Sequence, residues 1–174
     1  TGKITKWNQL NPKSRMGDLE VVFDNTNSST VRYVIENINK GQELTGNIKA
    51  THDNEGVIDY VSKVPNAIGV IGSNWIGNQS DTTNLSFNDL IQVMLVSADP
   101  IAFNGNSYQP FQAYLAMQIY PLSREIYICT SNRNSLPYGF TSFVSSDKGQ
   151  RIILKSGILP AKQPLRVVNV RENL

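Results

Sequence analysis

The chain has one cysteine, Cys129, and one histidine, His52. A lone cysteine excludes an intrachain disulfide, and with a lone histidine it also excludes a zinc centre built from those two residue types. Charge is sparse at 17%, and 16 basic against 14 acidic residues leave a net charge of only +2. No Lys/Arg stripe forms, since the densest stretch, Lys148 to Arg151, is interrupted by Gly149 and Gln150; this excludes nucleic acid as a partner. No apolar run approaches the roughly 20 residues that cross a bilayer. A charged segment leading into an apolar one, the mark of a targeting peptide, is also missing. "TGKITKWNQL" has no initiator Met and opens in mid-pattern, so the chain is expected to be a fragment or a processed product.

Catalytic signatures are equally scarce. There is no G-x-S-x-G elbow, no G-x-x-x-x-G-K-[ST] phosphate loop and no G-x-G-x-x-G fingerprint. His52 sits in "THDNEG" and reads as an exposed loop residue, too isolated to serve a Ser-His-Asp triad. Asp18, Glu20, Asp24 and Glu55 are spread too thinly to nominate a carboxylate pair. The chain therefore reads as a non-enzyme that needs no cofactor.

What is present is a folded-protein composition, with 40% hydrophobic residues in 174, enough for one domain or one domain and part of another. No internal repeat appears. "LEVVFD" (19–24) and "AIGVIG" (67–72) are short apolar runs that predict buried strands, and further strands are expected at 91–97, 124–131 and 166–170. Between them, Val57, Ile58, Val61 and Val64 predict a helix over 54–64 that Pro65-Asn66 closes. Phe140, Phe143 and Val144 suit another helix. In "DKGQRIILKSGILP", Asp147 with Gln150 signals a helix start, and Gly157 with Pro160 a stop; Ile152, Ile153 and Ile158 are expected to be buried. Strands alternating with helices predict an α/β fold with a largely parallel sheet covered on both sides. Trp7 and Trp75 read as packing residues, and the three sequons at Asn27, Asn78 and Asn84 are no more than this Asn- and Ser-rich composition gives by chance.

One stretch carries more information. "DNTNSSTVRYVIENI" (24–38) opens without an apolar side chain and then sets Val31, Val34, Ile35 and Ile38 at helical spacing. Three hydroxyls, Ser28-Ser29-Thr30, stand where the helix begins. Ser28 has the chemistry of a helix cap. The same residues also suit an anion site, because a helix start presents unpaired N–H groups and partial positive charge, and neutral hydroxyls add donors. A strand-loop-helix order places that start at the carboxyl edge of the sheet, where open α/β folds take ligands.

Several motifs together resemble the periplasmic phosphate-binding proteins of ABC transporters. "TGKITKWNQLNP" resembles that family's GKI-x-x-W segment, and "LEVVFDNTNSSTVRYV" its strand followed by Arg, three residues, Ser-Gly-Thr and a helix. "HDNEGVIDYVSKVPNAIGVIG" is similar to its helix before PGAIGYV. "YPLSREIYICTS" and "SSDKGQRIILKSGILP" are similar to its late strand and last helix. The resemblance implies a three-layer α/β sandwich, a lobe of the type II periplasmic binding-protein fold. On it, residues 1–118 would form the second ligand-binding lobe. Residues 119–174 would cross the hinge and return to the first lobe, so exposed apolar surface on 137–159 would favour a homodimer of this fragment.

The resemblance further implies phosphate or a similar oxyanion as ligand, an ABC permease as membrane partner, and a periplasmic or lipid-anchored cell-envelope location. Ser28 and Thr30 correspond to the family's phosphate-binding Ser and Thr, and Ser29 to the intervening Gly. Asp24 stands where the family has a phosphate-binding Arg, and Arg32, one turn into the helix, is the candidate to offset the lost charge. That departure keeps a second reading open, a sensor or adhesion-type lobe of the same fold that recognises another ligand or a protein partner.

Overall fold

A computed structural model describes residues 1–81, 83, 85–131 and 135–162. The chain divides into two compact units, one of Thr1–Asp81 with Ser86–Val93, the other of Thr82–Leu85 with Met94–Leu174. The first unit holds a parallel three-stranded sheet in the order β2-β1-β3, from β1 (Glu20–Phe23), β2 (Ile48–Ala50) and β3 (Ala67–Val70). Its helices are α1 (Trp7–Leu10), α2 (Ser29–Tyr33) and α3 (Asn54–Lys63). α2 runs on as a π-helix over Val34–Ile38, so ten consecutive residues are helical. Gly41, with a positive φ of 79°, ends this stretch, and its N–H bonds Ile35 O at 2.8 Å.

Successive strand residues face opposite sides, and β1 uses both. Val22 is fully buried against Val57 of α3 and Ala67 of β3. Phe23 lines a hollow of about 210 Å³ with Val31 and Ile35 of the helical stretch 29–38. The two helices thus cover opposite faces, and the first unit is a three-layer α/β sandwich. Gly69 of β3 lets α3 approach, because an added Cβ would meet Val57 Cγ1 at 2.7 Å.

α3 begins as the sequence predicts. Asp53 accepts the Gly56 N–H at 2.8 Å, and Lys63 in the last turn pairs with Asp59. Asp53→Ala should lower stability by about 1 kcal/mol, read from the urea midpoint, the cost of losing one N-cap. At the opposite end of the sheet, Glu20 accepts hydrogen bonds from Tyr60 (2.7 Å) and pairs with Lys49 (3.0 Å). Those contacts hold the Glu20 carboxyl below its usual range.

The second unit contains a small antiparallel ribbon, β4 (Val96–Ser97) against β5 (Ser107–Tyr108). It also contains α4 (Gln112–Ala116), α5 (Ser135–Ser145) and α6 (Asp147–Lys155). Pro137 lies in the first turn of α5, where its missing N–H costs nothing. α6 is capped by Ser146, which accepts the Gly149 N–H, rather than by Asp147; the start falls one residue earlier than expected. Its far end is closed by Gln112, whose side-chain amide donates to Leu154 O at 2.9 Å and Ile158 O at 3.1 Å.

Three expectations are corrected here. Of 91–97 only Val96–Ser97 pairs as strand. Residues 124–130 form no strand, and Ile126, Tyr127 and Ile128 are exposed. Ile152 is exposed at 59%, because the buried face of α6 is instead Gly149 and Gln150. β2 was not foreseen, since Ile48–Ala50 is only three residues with a central Lys. The strand expected at 166–170 and the sequon at Asn84 lie outside the described residues.

Candidate functional site

All three strands of the sheet run parallel, so their carboxyl ends share one edge, and both α2 and α3 start there. β1 ends at Phe23 and the chain turns away from the sheet at Asp24. Asn25 organises the turn: its side-chain oxygen accepts the Asn27 N–H at 2.9 Å, and its carbonyl accepts the Ser28 N–H at 3.4 Å.

Ser28 has extended backbone and caps the helix, its Oγ accepting the Val31 N–H at 3.2 Å. The Arg32 N–H then bonds Ser28 O at 3.1 Å as the helix begins. Between these bonds, the N–H groups of Ser29 and Thr30 have no protein acceptor among the described residues. Ser28 spends only a lone pair on Val31, so its O–H still has a proton to donate. The cap and the open helix start therefore coexist: one hydroxyl satisfies the third N–H and leaves the first two free.

The surroundings are unusual for this molecule. Four polar or charged residues are buried among those described, and three of them, Asp24, Ser28 and Thr30, fall in this turn. The fourth, Gln150, is satisfied by Val144 O and the Lys162 N–H. Thr30 has no partner for its hydroxyl among the described residues. Asp24 is 9% exposed, and its Oδ1 is sealed from solvent without a hydrogen-bond partner. Arg32 points elsewhere: it is exposed and makes no ion pair with Asp24. Ser29 is exposed too.

A sequence model for the family described as "PBP superfamily domain" matches residues 1–148. The chain belongs to this family. A comparison with curated protein sequences finds no match. Membership of the PBP superfamily points to a solute-binding role, and such domains are generally non-enzymatic and typically work with permeases. In a PBP-superfamily domain built this way, the carboxyl edge of the sheet is the region where an open α/β fold receives a ligand. The 24–30 turn occupies that edge and offers two backbone N–H groups and the hydroxyls of Ser28 and Thr30.

Sequence reading missed a second hollow in this PBP-superfamily unit. It measures about 620 Å³ and lies between α3, at Ile58 and Asp59, and the segment carrying Trp75, Asn78 and Asn88. Trp75 is 43% exposed there, so it is not the packing residue that was expected. Trp7 is one: its indole N–H donates to Asn66 O at 2.9 Å. His52 is exposed in its loop.

Proposed function

We propose that this chain is the solute-binding component of an ABC importer, working in the periplasm or on the cell envelope. It takes a small oxyanion, phosphate among them, and delivers it to a membrane permease. The observation that carries this reading is the pair of open N–H groups at Ser29 and Thr30, flanked by the hydroxyls of the largely buried Ser28 and Thr30. A helix start with unpaired amides and neutral donors holds an anion without any full positive charge nearby. Arg32 adds positive charge on the same helix without touching the turn.

Calorimetric titration with phosphate and sulfate tests this. The double variant Ser28→Ala, Thr30→Ala should bind more weakly by about 1–3 kcal/mol, the loss expected for buried donors. Ser28 is also a cap, so its loss costs stability by about 1 kcal/mol, and a melting curve must show the variant folded at the titration temperature. No heat from any oxyanion with the unaltered chain would end the proposal. A second reading, a sensor or adhesion-type lobe of the same fold for another ligand or a protein partner, draws support from Asp24, a buried carboxylate where the resembled family has an anion-binding Arg.

A further inference from the structure

The hollow between α3 and the segment carrying Trp75, Asn78 and Asn88 takes no part in the oxyanion reading, and its lining has a chemistry of its own. At about 620 Å³ it falls inside the range of about 300–1,000 Å³ typical of small-molecule sites. The wall facing α3 is held together by its own backbone. Gly77 bridges Phe87, the Asn88 N–H bonds Ile76 O at 2.8 Å, and the Asn78 N–H bonds Ser86 O at 3.1 Å.

Three kinds of group meet there. Trp75 supplies a flat apolar face, 43% exposed, and its indole N–H has no acceptor among the described residues. Asn78 and Asn88 supply fixed donors. The side-chain oxygen of each accepts a nearby backbone N–H, from Ser80 at 2.9 Å and from Leu90 at 3.0 Å, and neither amide group donates to a described residue. Glu55 and Asp89 supply acceptors, carboxylates with no ion pair among the described residues, whereas Asp59 is held by Lys63. No described Lys or Arg lines the hollow, so an anion finds nothing there to neutralise it. An organic cation would use the ring and the carboxylates but leave the amide donors idle. A sugar uses all three, because a pyranose has a face of C–H bonds to lie on an indole and hydroxyls that both donate and accept.

We propose that this hollow is a second binding site, for a neutral saccharide stacked on Trp75 and hydrogen-bonded by Asn78, Asn88, Glu55 and Asp89. No residue of the 24–30 turn lines it, so it stands or falls apart from the oxyanion reading.

The test titrates the full chain by calorimetry with maltotriose, cellotriose and chitotriose, with choline as a cation and sorbitol as an open-chain polyol. At least one trisaccharide should bind with a millimolar or tighter constant, and sorbitol should not. Trp75→Ala should weaken that binding by roughly tenfold or more, with Trp75→Phe keeping most of it. The phosphate titration should be the same in Trp75→Ala as in the parent. Asp89→Ala, at an exposed position without a protein partner, should weaken the saccharide by roughly threefold or more; it keeps the placement testable if the Trp75 variant does not fold. No binding of any trisaccharide overturns the proposal, whether or not oxyanions bind. Choline binding without trisaccharide binding also overturns it, and would assign the hollow to a cation. Trisaccharide binding that neither variant weakens, with both folded, overturns the placement in this hollow.

Discussion

Replacing Phe23 by alanine is expected to destabilise the first unit by about 3–5 kcal/mol, the range for truncating a buried aromatic ring. Phe23 is 2% exposed and is among the largest fully enclosed side chains. It stands on the face of β1 that meets Val31 and Ile35, beside the hollow of about 210 Å³. Truncation would join the space of the ring to a gap that already exists, and few atoms are placed to close over both. Against the roughly 5–15 kcal/mol that holds an ordinary domain together, such a loss takes a large share. Urea unfolding followed by intrinsic fluorescence gives the number. Phe23→Leu should cost about 1.5 kcal/mol or less by keeping most of the volume. An alanine variant within about 1 kcal/mol of the parent would show that the ring is not a support of the sheet. The effect should reach the site, because the next residue is Asp24.

The second large effect is expected at Gly149. A Cβ built there would lie 2.6 Å from Val144 Cα and nearer still to the carbonyl oxygens of Phe143 and Val144. Every one of these atoms is backbone, so no rotamer change relieves the clash and α6 must move off the end of α5. That movement also strains the Ser146 cap, which accepts the Gly149 N–H, and the bond from Gln150 to Val144 O. Overpacking commonly costs about 1–3 kcal/mol, and Gly149→Ala should lie at or above the top of that range. The internal control is Gly139→Ala on α5, where an added Cβ meets nothing within 4 Å. There alanine should be neutral or stabilising by up to about 1 kcal/mol through helix propensity. Thermal melts of the two variants followed by circular dichroism decide it; equal midpoints would refute the close approach.

Residues with local chemistry were the readable ones. β1, β3 and α3 announce themselves because apolar runs and a 3.6-residue spacing end at Gly, Pro or Asn, signals that act within a few residues. The helix start at Ser28 was readable for the same reason. β2 was not, since a three-residue edge strand is created by its neighbour and carries no pattern of its own. The opposite error arose at 91–95 and 124–130. β-branched and apolar residues there favour extension, but pairing needs a partner strand that composition does not specify. Val34–Ile38 has good helical spacing, yet its π geometry breaks the phase and leaves Ile38 52% exposed. In the site, the hydroxyls and amides were legible as a cap or an anion holder. The burial of Asp24 was not, because enclosure depends on how the 24–28 turn folds back against the strand end.

β1 is first among the strands in sequence and central in the sheet, flanked by β2 on one side and β3 on the other. During synthesis it therefore emerges before either neighbour, and even after β2 is available its other edge stays unpaired until Val70 has cleared the ribosome. Parallel pairing across such crossovers is slow, and a lone apolar strand is prone to pair with the wrong edge in the meantime. The 24–30 turn follows this strand directly, so the candidate site rests on a sheet that is completed only later in the chain. On the proposed function, the candidate site is expected to be complete only once β3 has joined the sheet.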